Sequence, residues 1–113
     1  MELTHRMKNN ICIIRITGEM FGGDIQVFRA YFAKLLETEL PVAFIVDLRE
    51  STIIYSTGIG VIMELFQETQ KRQIGFAISQ PAALTNKIFE KLKLNKILSI
   101  FDTEEDAVAS FQS

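Results

Sequence analysis

The chain has one cysteine and one histidine in 113 residues. A single thiol excludes an internal disulfide, and one imidazole and one thiol are too few for a His/Cys metal set. Cys12 lies in the apolar run Ile11-Cys12-Ile13-Ile14 and reads as a small core residue. His5, in a short alternating segment, reads as a structural or surface residue. Positive charge is also scarce: 12 Lys and Arg stand against 14 Asp and Glu, a formal net charge of -2. No basic cluster is denser than Lys71-Arg72 or the scattered Lys87, Lys91, Lys93 and Lys96. A phosphate backbone would find no electrostatic footprint, which argues against nucleic acid as a partner. No apolar run approaches the roughly 20 residues of a membrane span, and Met1 to Asn10 is polar, without the apolar stretch of a secretory signal. No membrane partner is expected, and cytoplasmic residence is. Repeats, low-complexity tracts and linkers are missing too, and 48% hydrophobic with 23% charged residues fits one globular domain over 1–113.

What is present is an alternation of strand and helix patterns. Asn9-Asn10 separates a short alternating segment, Glu2 to Lys8, from the stronger run Ile11 to Thr17, which predicts a hairpin of two antiparallel strands. Gly18, Gly22 and Gly23 mark a loop. Ile25, Phe28, Phe32, Leu35 and Leu36 then recur at helical spacing until Pro41. Ala43-Phe44-Ile45-Val46-Asp47-Leu48 reads as a strand covered on both faces. Ile59, Ile62, Met63 and Phe66 form a helical stripe opposite Glu64, Gln67, Glu68 and Lys71. Phe76 to Ser79 is a short strand. Pro81 falls at an expected first helical position, before Leu84, Ile88 and Leu92. Ile97 to Phe101 reads as a last strand. Asp102 with Glu105, or Thr103 with Asp106, offers capping geometry for a terminal helix carrying Ala107, Val108 and Phe111. Such alternation predicts βαβ crossovers and an α/β fold whose sheet is largely parallel.

The stretch Ile53-Ile54-Tyr55-Ser56-Thr57-Gly58-Ile59-Gly60 carries the functional signal. It passes from an apolar run through two hydroxyl residues into the clearest helix of the chain. Amide groups at a helix N-terminus lack intrahelical acceptors and sit at the positive end of the dipole, so a hydroxyl there serves as a cap or a phosphate can be accommodated. Thr57 reads as a cap or a second acceptor. Gly58 and Gly60 read as small residues for close helix–sheet packing. They form no dinucleotide fingerprint, since Met63 holds the third glycine's place. A nucleophilic enzyme is the competing class. It fails on pattern, because Ile54 replaces the first glycine of a Gly-x-Ser-x-Gly elbow and His5 is the only available base. Asp47, at the end of a central strand, reads as a loop-orienting carboxylate or as a functional group at a sheet end.

The order of elements resembles the STAS domain of bacterial anti-sigma factor antagonists over nearly the whole chain. The resemblance rests on Ile14-Arg15-Ile16-Thr17-Gly18-Glu19, Ile45-Val46-Asp47-Leu48, Ser56-Thr57-Gly58-Ile59-Gly60-Val61, Pro81, and Phe101-Asp102-Thr103-Glu104-Glu105-Asp106-Ala107. It implies a mixed four- to five-stranded sheet with a parallel core and helices mainly on one face. It implies a non-enzymatic partner switch with no cofactor. Ser56, or secondarily Thr57, would be phosphorylated by an anti-sigma factor that is also a serine kinase of GHKL type, and a phosphatase would reverse the step. Phe21, Asp24, Tyr55, Ser56, Thr57, Gly58 and Ile59 would form the docking surface. Two acidic positions usual near the acceptor hold Tyr55 and Phe21 here, and Asp24 stands three residues beyond Phe21. The alternative is an interaction module that binds its partner without a phosphorylation cycle, including as a homo-oligomer.

Overall fold

Asn9 and Asn10 both adopt left-handed backbone, with φ of 53° and 66°. Two consecutive positive-φ residues are what the tightest hairpin turn needs, and Asn tolerates that region better than most side chains. The turn joins β1 (Glu2–Lys8) to β2 (Ile11–Thr17) in antiparallel register, Lys8 opposite Ile11 and Glu2 opposite Thr17. The structure, a computed structural model, describes residues 1–51 and 56–112, and of Ser56 and Thr57 the backbone alone.

After the hairpin the chain alternates: α1 (Asp24–Thr38), β3 (Ala43–Asp47), α2 (Ser56–Lys71), β4 (Gly75–Ser79), α3 (Ala83–Lys91), a 3-10 turn (Leu94–Lys96), β5 (Ser99–Phe101) and α4 (Glu104–Ala109). The five strands lie in sequence order, and β2 through β5 pair in parallel. Each parallel step requires a crossover, which the helices provide.

The central strands are apolar on both faces because both are covered. Cys12, Ile14, Ile16, Phe44, Val46, Phe76 and Ile78 point to the face carrying α1, α2 and α3 and form the main core with Phe28, Phe32, Ile62 and Phe89. The alternate residues Ile11, Ile13, Ala43, Ile45 and Ala77 meet Ala107 and Val108 of α4, with Phe101 and Phe111 packed alongside. Three helices on one face and one on the other is the expected arrangement. All five apolar residues of the α1 stripe, Ile25, Phe28, Phe32, Leu35 and Leu36, are buried.

Several local expectations are corrected. The buried residues of α3 are Thr85 and Phe89; of the expected row, Ile88 packs partly buried against the main core, whereas Leu84 and Leu92 are 57% and 54% exposed. The expected row lies one residue off, because the i, i+4 row through Thr85 and Phe89 faces the sheet and pushes the row through Leu84 to the rim. Pro81 precedes the helix by two residues instead of opening it. The last strand is three residues long, since Lys93 turns left-handed at φ 59° and the chain winds through a 3-10 turn before pairing, leaving Ile97 exposed. The terminal helix is capped by Thr103, whose hydroxyl accepts from the Asp106 N–H at 3.0 Å, so the Thr103/Asp106 alternative holds. Phe111 lies beyond its end. On α2, Val61 and Leu65 join Ile59 and Ile62 in the core, while Met63 and Phe66 are partly buried.

Candidate functional site

The strand register brings Arg15, Asp47, Ser79 and Phe101 into one row across the carboxyl end of the parallel strands. This is the end of an open α/β sheet at which loops gather and function sits. Asp47 is fully buried there. Its Oδ2 accepts from Arg15 Nε at 3.0 Å and its Oδ1 accepts from the Arg49 backbone N–H at 2.9 Å. Arg49 adds a longer approach to Oδ2 at 3.9 Å. The carboxylate thus holds the start of the β3–α2 loop in place, which is the loop-orienting reading of Asp47.

The two loops of this end are joined. The Gly18 N–H donates to Glu50 O at 3.0 Å, and the Ser51 hydroxyl donates to Gly18 O at 3.3 Å. Gly18 has φ of +86°, a region that suits glycine and strains other side chains. Ser51 is buried, so its hydroxyl needs this acceptor. Next in the β2–α1 loop, Met20 anchors in the core while Phe21 stands 59% exposed. Asp24 closes the loop onto α1. Its Oδ2 accepts from the Phe21 N–H at 2.9 Å and its own N–H donates to Phe21 O at 2.8 Å. Asp24 is therefore engaged in shaping the turn that presents Phe21.

Helix α2 begins with Ser56 as its first residue and runs for 16 residues. Thr57 is its second residue, and the expected capping role of its hydroxyl lies outside the described residues. No acidic residue lies in the first turn, and Lys71 lies in the last. The amides and positive dipole end of the first turn thus meet no carboxylate from within that turn. Gly58 is buried and Ile59 is 5% exposed in the main core. Ile59 accordingly belongs to the packing and contributes little to any exposed apolar surface. Gly60 also differs from expectation. It is exposed, and a Cβ there would meet nothing within 4 Å, so close helix–sheet packing does not explain it. Tyr55 lies outside the described residues.

Sequence patterns did not single out Arg15 or Ser51, which position this end through contacts 32 and 33 residues away along the chain. Two buried acceptors at the same end, Ser79 Oγ and Gln80 Oε1, have no hydrogen-bond partner among the described residues. The imidazole of His5 is engaged elsewhere, on β1, with the Tyr31 hydroxyl at 2.5 Å and Glu39 at 3.7 Å. Among the described residues no group of three or more His, Cys, Asp or Glu could hold a metal ion, and no helix is long and apolar enough to cross a membrane.

The family model of the STAS domain matches residues 3–107. The chain belongs to the STAS domain family. No curated protein matches it in sequence. Among solved structures it is similar to an anti-sigma factor antagonist from Mycobacterium paratuberculosis, with a TM-score of 0.89 and 15% identity over 99% of this chain and 94% of the other. It is similar to the Bacillus cell fate determinant SpoIIAA in its phosphorylated form, with a TM-score of 0.76 and 18% identity over 98% and 100% of the two chains. It is also similar to the STAS domain of a SulP transporter from Vibrio cholerae, with a TM-score of 0.72 and 20% identity over 93% and 83%. At these identities the likeness is one of fold. The antiparallel β1–β2 pair, the parallel β2–β5 sheet and the four helices form the STAS arrangement, and Ser56 opens its second helix.

Proposed function

We propose that this STAS domain is a cytoplasmic, non-enzymatic anti-sigma factor antagonist that works by partner switching. Unphosphorylated, it binds an anti-sigma factor that is also a serine kinase of GHKL type. Phosphorylated at Ser56, it is released, and a phosphatase restores the binding form. The observation that carries this reading is the position of Ser56 as the first residue of a 16-residue helix whose first turn holds no acidic residue. A phosphate there adds about -1.5 to -2 charges beside a helix end that tolerates anions, so the domain keeps its shape. The partner meets the cost instead, because an unpaired charge in a docked surface costs on the order of several kcal/mol, and about 1.4 kcal/mol is a tenfold change in affinity. Phe21, presented by the Asp24 turn, supplies an exposed aromatic anchor of the kind interfaces favour.

The test is incubation with the cognate serine kinase followed by mass spectrometry. Modification at Ser56 is expected, and a chain unmodified at both Ser56 and Thr57 overturns the switch. Binding should be kept in Ser56→Ala and lost in Ser56→Asp.

A second reading is a STAS interaction module that holds its partner without phosphorylation. Phe21 favours it, since an aromatic side chain where the resemblance expects an acid suits stable contact. In that case Ser56→Asp leaves partner recovery in a pull-down nearly unchanged, and abolished recovery removes this reading.

A further inference from the structure

β1 ends the sheet, and among the described residues it pairs only with β2. Six of its seven residues are exposed, Leu3 alone being partly buried. One row of its backbone donors and acceptors therefore faces outward, a template for another strand. Its side chains divide by face. Leu3, His5 and Met7 lie opposite Ile16, Ile14 and Cys12, on the α1 side, while Glu2, Thr4, Arg6 and Lys8 lie on the α4 side.

We propose that this edge is a self-association surface, in which β1 of a second copy adds antiparallel to β1 about a two-fold axis through His5. The sequence of the strand carries the argument. A two-fold axis normal to a sheet can pair only residues that share a face, so its centre must fall on a residue. Centred on His5, it sets Glu2 against Lys8 twice, Leu3 against Met7 twice and Thr4 against Arg6 twice, and uses all seven residues of the strand. Opposite charges and apolar pairs placed directly across an antiparallel ladder are the arrangements that stabilise it. Centred on Thr4, Glu2 faces Arg6, but Met7 falls opposite Met1, outside the strand, and Lys8 has no residue opposite it. Centred on Arg6, the guanidinium faces its own copy. Pairing of the whole strand together with its charge complementarity thus selects one register.

The α1 side of this edge is open to receive the neighbour's side chains. A groove of about 420 Å³ lies there, lined by His5, Tyr31, Lys34, Leu35, Thr38 and Glu39. Met7, next to it on the strand, is 41% exposed, a large apolar side chain for which the register supplies Leu3 of the second copy. The carboxyl end of the sheet, with Phe21 and the start of α2, stays outside the pairing, so a paired domain can still engage a different partner. An interface built on one strand is small, and small interfaces are transient. The association is accordingly a weak, reversible dimer.

Sedimentation velocity over the micromolar to millimolar range tests the proposal on the whole chain. The wild type should show a concentration-dependent monomer–dimer equilibrium. Glu2→Lys alone and Lys8→Glu alone should each weaken it by about tenfold, since both outer pairs become like-charged. Two rescues follow from the register: the double variant Glu2→Lys/Lys8→Glu should dimerise like wild type, and the two single variants mixed should form a heterodimer. Both changes lie on exposed positions, so circular dichroism should be unaltered. A wild type that stays monomeric at millimolar concentration overturns the proposal. So does a dimer indifferent to the single substitutions, or one that neither rescue restores.

Discussion

Arg15 and Asp47 are partners in the parallel β2–β3 ladder and are joined again by their side chains, Nε to Oδ2 at 3.0 Å. The acid is fully buried and the guanidinium is partly in water, so the pair brings a charge into the sheet end on an arm that reaches solvent. Removing the arginine leaves a buried carboxylate with a single close backbone donor. Arg15→Leu is expected to cost about 2 kcal/mol, less than for a wholly buried pair because water reaches this one. Asp47→Asn, which keeps an acceptor for the Arg49 N–H, should cost about 1 kcal/mol. Urea unfolding of both variants checks the order, and a larger loss for Asp47→Asn contradicts this account of the site.

Glycines at the two ends of the site respond in opposite directions. Gly60 is exposed in a helix with open space around it, so Gly60→Ala should raise stability by about 0.5–1 kcal/mol. Gly18, at φ +86°, should lose about 1 kcal/mol or more on becoming Ala. Thermal unfolding of the two variants gives the signs directly.

The face that α3 buries makes a third prediction. Phe89→Ala should cost about 3–4 kcal/mol through the cavity it opens in the main core, since Phe89 is fully buried. Leu84→Ala and Leu92→Ala should stay within about 0.5 kcal/mol of wild type. A large loss at Leu84 would mean that the helix is rotated from its observed position.

Cys12 is shielded enough that burial, with the charge of Glu39 adding to it, pushes its thiol up to about 11. At neutral pH the thiol stays protonated, and a disulfide reagent should label it only after denaturant is added. The unfolded chain ionises this thiol at a lower pH than the folded one and so binds fewer protons in between. Stability from this source is therefore complete below about pH 9, the ordinary thiol value, and falls as pH rises towards 11. Burial of the Tyr31 hydroxyl raises its pKa as well and acts in the same direction. The alkaline loss should be shallower in Cys12→Ala than in wild type, as chemical unfolding at pH 8 and pH 10 would measure.

These positions also show which parts of the structure could be read from sequence. The stripe of α1 spans four turns, long enough for a period of 3.6 to stand out, and every one of its five apolar residues is buried. The Asn9-Asn10 turn and the doubly apolar β3 carry signals within a few residues of themselves. α3 is only nine residues long, and both of its candidate rows contain large apolar side chains, so periodicity could not decide between Leu84 and Phe89. The run Ile97 to Phe101 looked like one strand because nothing in its composition reports the left-handed turn at Lys93. At the site, the helix start at Ser56 was legible from local chemistry. The hydroxyl of Ser51 on Gly18, and Arg15 on Asp47, join residues more than thirty apart and leave no local pattern. A glycine looks the same in sequence whether it faces a sheet or solvent, so the exposure of Gly60 leaves no trace in the pattern.

The two borders of the sheet are unequal: seven residues at β1 and three at β5. A molecule with two long free borders can add copies at both and grow into a ribbon, the usual route from strand pairing to fibre. Here the far border is too short to hold a second partner, and the long one, matched to itself, is consumed once it is used. The domain is consequently built to stop at a pair, and crowding of many copies should not turn it into a polymer.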